Sequence, residues 1–245
     1  MPNPFTWGGF GRLCALSGAC RYLPLLLLFL FAFASYALAH GVAVGDKGYI
    51  QEITGVHIIP FMYLGAKHMV TGYDHLLFLF GVIFFLYRLR DIVIYVTLFA
   101  VGHSITLLLG VFMNINANPY IIDAIIGLSV VYRALDNMGM FQRWLGFQPN
   151  TKATTFIFGL FHGLGLATIM RDFDVSPDGL LVNLISFNIG VEIGQIMALC
   201  AILIFMGYWR RTTSFQRHAY LANVLLMIAG FLLIADQLAH LFAGV

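Results

Sequence analysis

Between His68 and His75 the chain reads His-Met-Val-Thr-Gly-Tyr-Asp-His, directly before an apolar run that opens Leu76-Leu77-Phe78. Two imidazoles and a carboxylate within eight residues are ligand types for borderline divalent metals. Beside a membrane-length apolar run they are also expensive to keep, which makes them a functional-site hypothesis. Each later apolar segment adds donors. They are His103 in Gly102-His103-Ser104, Asp123, His162 in Phe161-His162-Gly163, Glu192 between Asn188 and Gln195, and Asp236 with His240. Asn188, Glu192 and Gln195 have i, i+4, i+7 spacing and predict one polar helical stripe, while Gly190 and Gly194 predict a groove for a close neighbour. Gly159 and Gly163, flanking His162, predict a second close packing.

Each feature has an ordinary account when taken alone. A single buried imidazole finds a carbonyl or hydroxyl partner, Asp123 caps its helix, and Asp236 with His240 forms a structural pair. Glu192 resists such an account, since a lone carboxylate in mid-span costs at least ~2.5–3.5 kcal/mol. Taken together, the donors predict one metal-binding chamber of His68, Asp74, His75, His103, His162, Glu192, Asp236 and His240. Ser104, Asp123, Asn188 and Gln195 are its supporting polar groups. Nickel, cobalt, zinc and manganese suit this set, and Met62 and Met69 keep copper open. Cys14 and Cys20 lie in the N-terminal extension and Cys200 is alone in an apolar run, so neither a disulfide nor a thiolate site is expected.

The elements that must position these groups are membrane helices. The 245 residues are 60% hydrophobic and 10% charged, with a mean hydropathy of +0.89. That composition excludes an ordinary soluble domain, and a net charge of +2 with scattered basic residues gives no nucleic-acid surface. Arg12 and Arg21, the run Leu23 to Ala34 and the small residues Ala37-Leu38-Ala39 predict a signal peptide over 1–39, cut after Ala39. The expected fold for 40–245 is all-α: a polytopic bundle of six spans near 73–89, 92–113, 119–136, 153–170, 180–208 and 220–242. Ile58 to Met69 is expected as an interfacial or re-entrant helix on the outer side. Arg88, Arg90, Arg133, Arg143, Lys152, Arg210, Arg211 and Arg217 fall in alternate loops, which predicts those loops to be cytoplasmic and both mature termini to face outward. The donors would then share the outer half of the bundle.

Residues His68, Asp74 and His75 resemble the H-x5-D-H signature of the HupE/UreJ family, and Phe161-His162-Gly163 resembles its Phe-His-Gly motif. Gly102-His103-Ser104 and Asn188-x-Gly190-Val191-Glu192-x-Gly194-Gln195 also look like family elements, so the resemblance covers roughly 60–242. It implies a multi-pass inner-membrane protein linked to hydrogenase or urease maturation, with nickel or cobalt as the metal and metalloenzyme-maturation proteins as partners. Where nickel-associated members continue with His-Gly-x-Glu, this chain has Leu164-Gly165-Leu166-Ala167, and it resembles the broader second branch.

Three functions compete. A divalent-metal permease would use the donors as a path, without ATP hydrolysis in this chain because no P-loop is present. An intramembrane zinc hydrolase would use three of them to activate water, although neither His-Glu-x-x-His nor Gly-x-Ser-x-Gly occurs. A copper- or other metal-binding accessory protein could chelate through a free His40 amine with His57 or His68.

Overall fold

The computed structural model describes residues 54–171 and 178–243. The expected signal peptide, its cleavage after Ala39 and His40 lie outside them. The described residues form eight helices and no strand: α1 (Ile58–Thr71), α2 (Tyr73–Ile83), α3 (Leu89–Phe112), α4 (Pro119–Asn137), α5 (Met140–Leu145), α6 (Thr151–Arg171), α7 (Leu180–Trp209) and α8 (Thr213–Ala243). By length and composition α3, α7 and α8 can each cross a bilayer. The short α5 lies between two glycines in the left-handed region, Gly139 and Gly146, and was not predicted.

The first predicted span, 73–89, is corrected by the structure. Helix α2 has 11 residues, about 17 Å at ~1.5 Å per residue, far short of a ~30 Å hydrocarbon layer. It is preceded by the 14-residue α1, with Gly72 in an extended conformation between them. The Gly72 amide donates to the His68 carbonyl and ends α1; the Leu76 amide donates to the Gly72 carbonyl and starts α2.

Helix α1, expected as interfacial or re-entrant, packs against α7. It runs parallel to α7, with Met62 against Gly190 and Ala66 against Gly194. At its start the His57 amide donates to Asn183 Oδ1 (2.7 Å), and Asn183 Nδ2 donates to the Gly55 carbonyl (2.9 Å). A Cβ on Gly65 would collide with the Phe187 carbonyl, and one on Gly190 with that of Met62. The backbones therefore touch, as small residues allow between helices in an apolar medium. This fulfils the groove expected at Gly190 and Gly194 and identifies its occupant as α1.

The far end of α2 is also fixed. Arg210, just past α7, donates to the carbonyls of Phe84 (2.8 Å), Leu86 (2.9 Å) and Ile83. Arg133 of α4 donates to Val82 (3.2 Å) and pairs with Asp136 (2.5 Å). Asn137 reaches the Gly81 carbonyl and Asn223 of α8, each at 2.9 Å. These donors satisfy carbonyls that a helix C-terminus leaves open. End to end, α1 and α2 thus extend beside α7 from Asn183 to Arg210.

Two further close pairs complete the bundle. Helices α3 and α6 run parallel, with Gly159 against the Phe99 carbonyl and Gly163 against that of His103. Thr106 Oγ1 fastens them by donating to the Leu160 carbonyl at 2.6 Å. Helices α4 and α8 run antiparallel, Gly127 meeting Ile234 and Val131 meeting Gly230.

Candidate metal centre

The polar site forms where the α1–α2 break faces the α3–α6 pair. His68 comes from the last turn of α1, Asp74 and His75 from the first turn of α2, His103 from α3 and His162 from α6. The side chain of His75 leans toward the amino end of α2 and so toward Gly72, where its ring meets that of His68. His68 is half-buried, whereas Asp74, His75, His103 and His162 are 3%, 1%, 0% and 0% exposed. The His75 ring lies centrally. Its centroid is 5.0 Å from that of His68, 5.9 Å from His103 and 4.7 Å from His162, with edge-on geometry throughout.

Two sets of donor atoms each lie within 4.8 Å: His68, His75 and His103, and Asp74, His75 and His162. Asp74 Oδ2 stands 2.9 Å from His75 Nδ1 and 3.5 Å from His162 Nδ1. A side chain at Gly72 would intrude here, because its Cβ would be 2.9 Å from His75 Nδ1 and 3.2 Å from Asp74 Oδ1. The site therefore favours glycine here, although the backbone at φ −72° is open to any residue.

Ser129 of α4, which the sequence reading did not single out, stands beside His162. Its hydroxyl donates its one proton to the Ile126 carbonyl at 2.6 Å. With that proton committed, the hydroxyl is placed to accept from His162 Nε2 at 3.3 Å, which favours the tautomer with its proton on Nε2. The Nδ1 lone pair then faces the Asp74 carboxylate. In that arrangement a proton or a metal ion fits between carboxylate and imidazole, and a hydrogen bond at the outer nitrogen orients a ligating imidazole. Only a serine buried on the neighbouring helix signals this in sequence, and buried serines are common.

Toward the arginine-bearing end, aromatic rings close the site. Phe78 and Phe99 are 5.1 Å apart, Phe78 is 5.5 Å from the His162 ring, and Phe158 is 6.0 Å from Phe78. A small cavity of ≈ 10 Å³, about one water, lies among His75, Met69, Tyr95, Thr155 and Gln195. Gln195 is buried, and its Nε2 has no hydrogen-bond partner among the described residues.

The remaining predicted residues are placed apart. Glu192 is exposed on a face of α7 shared with Ile189, Ile193 and Ile196. The predicted stripe divides because Glu192 and Gln195 are about 60° apart around a helix of ~3.6 residues per turn, and the burial boundary falls between them. Asn188 is buried and accepts from Ser104 at 3.1 Å, tying α7 to α3. Asp236 and His240 are 42% and 51% exposed at the side chain and 3.9 Å apart. The His240 ring stacks on Tyr120 at 6.0 Å. Neither donor set includes Glu192, Asp236 or His240, so the structure brings together five of the eight predicted donors and leaves these three apart. Asp123 does not cap α4; Asn118 does, accepting from the Ile121 amide. Asp123 is buried against Gly165 of α6.

No curated protein and no solved structure matches this chain. The family described as HupE / UreJ protein matches residues 44–244. That match spans nearly the whole sequence and includes every donor gathered at the helix break, and the chain belongs to the HupE/UreJ family.

Proposed function

We propose that this protein is a divalent transition-metal permease of the nickel/cobalt type, with His68, Asp74, His75, His103 and His162 as its ion site. The observation that carries the reading is the convergence of four imidazoles and one carboxylate, from four helices, on the break between two short helices packed along a helix long and apolar enough to span a membrane. Discontinuous helices place polar backbone at membrane depth only where it lines a site. The carbonyl end of α1 and the amino end of α2 meet at the cluster with opposed dipoles, so Asp74 is the negative charge available to a cation there. The donor set is imidazole with a single carboxylate, suited to nickel, cobalt or zinc rather than to calcium or magnesium.

In this reading α1 and α2 together make the first crossing, and α3, α4, α6, α7 and α8 make the rest. The arginine-bearing end is cytoplasmic by the positive-inside rule, in an inner membrane. Gln195, Thr155 and Tyr95 line the cavity on the cytoplasmic side of His75, and the ion leaves that way when the Phe78–Phe99 contact opens.

The test is ion uptake into proteoliposomes holding a trapped metal-sensitive dye. Nickel or cobalt should enter with the wild-type protein and not with His75→Ala. Equal flux through the variant contradicts the assignment. Tight binding without flux in the wild type would instead favour an intramembrane hydrolase, for which the closed aromatic floor beneath the cluster is the supporting observation.

A further inference from the structure

We propose that the cluster contains two stations for one divalent ion, sharing the His75 imidazole, and that only one station straddles the helix break. This rests on the metal-site reading above and adds an internal order to it. Station one is His68, His75 and His103; station two is Asp74, His75 and His162. His75 is the one residue common to both. Its Nδ1 is turned to station two, 2.9 Å from Asp74 Oδ2. His68 and His103, the other members of station one, stand edge-on to the same ring.

Charge limits the pair to one ion at a time. Asp74 is the single carboxylate in the two donor sets, and two dications on opposite edges of one imidazole would repel strongly in a low-dielectric interior. The stations also differ in chemistry. Station one is neutral and all-imidazole, while station two has an anionic oxygen and an imidazole oriented by Ser129.

They differ mechanically as well. Station one draws on both sides of Gly72: His68 belongs to α1, whose backbone is pressed onto α7 at Gly190 and Gly194. Station two lies wholly on α2 and α6, and α2 is fastened to α4 through Arg133 and Asn137. An ion in station one ties the α1–α7 pair to α2. Its passage to station two removes that bridge across Gly72, while Arg210 keeps the far end of α2 on α7, so ion position and the Gly72 break are coupled.

The experiment uses the purified full chain in detergent with Co²⁺ as the probe, reading stoichiometry by titration and ligand environment by visible d–d absorption. Wild type should bind one Co²⁺ per chain. The double variants His68→Ala/His103→Ala and Asp74→Asn/His162→Ala should each still bind one, more weakly than wild type, with spectra that differ from each other. His75→Ala should lose both stations. Monodisperse elution establishes folding, and the single variants His103→Gln and His162→Gln give the same reading if a double variant fails to fold. Loss of all binding in both folded double variants, identical spectra from the two, or two Co²⁺ per wild-type chain overturns the arrangement. A wild type that binds no Co²⁺ overturns the underlying metal site instead.

Discussion

The two ends of α2 are both buried and both polar, yet they are completed in different ways. At its carbonyl end the chain supplies the positive charge itself. Arg210 and Arg133 donate to Val82, Ile83, Phe84 and Leu86, and Asp136 balances Arg133. At its amino end the chain gathers Asp74 with imidazoles, groups whose positive charge depends on taking up a proton or a metal ion. The first end is a fixed structural joint. The second is a site whose charge can change, and it stands at the only break between α1 and α2.

Substitutions should separate these roles. The largest stability effect is expected from Arg133→Ala, which leaves Asp136 buried without its guanidinium; breaking a buried pair costs about 3–5 kcal/mol. Thermal unfolding in detergent should show it, while Co²⁺ affinity of the protein that remains folded changes little. His75→Ala should do the reverse. Metal affinity falls by more than the ~10–100-fold that an outer support contributes, and the melting temperature stays close to wild type. If His75→Ala unfolded the protein as Arg133→Ala does, the distinction between joint and site would fail.

Ser129→Ala sharpens the comparison within the site. The variant keeps every donor but frees the tautomer of His162, and an affinity loss of about 10–100-fold is expected, measured by competition with a chelating dye. Glu192→Gln and Asp236→Asn should have the smallest effects, less than about twofold on affinity, because both residues lie outside the donor sets and single surface changes are usually minor. A large loss in Glu192→Gln would restore the wider chamber that the spacing predicted.

Much of this was readable in the sequence, for identifiable reasons. Helices α3, α4, α6, α7 and α8 follow the apolar runs to within a few residues, except that α8 begins at Thr213 rather than near 220. The crowding of His68, Asp74 and His75 marked the centre because these residues are close along the chain. The paired glycines marked close packing because backbone contact between helices demands small residues. What failed was longer-range. The run after Tyr73 continues apolar past Ile83, so hydropathy gave no sign that α2 stops there; Arg210, distant in sequence, ends it through the carbonyls of Ile83, Phe84 and Leu86. Arg133 counted only as a topological charge, although it is almost fully buried. Glu192 shared a helical stripe with Asn188 and Gln195, but a stripe has width, and the edge of the core runs through it.

The most direct test of the account is X-ray absorption at the nickel edge on the wild-type protein loaded with one equivalent of Ni²⁺. A first shell of nitrogen and oxygen, with outer-shell scattering from at least two imidazoles that is lost in His75→Ala, is the predicted result. A sulfur-containing shell, or imidazole scattering that survives unchanged in His75→Ala, would contradict a metal centre at the helix break.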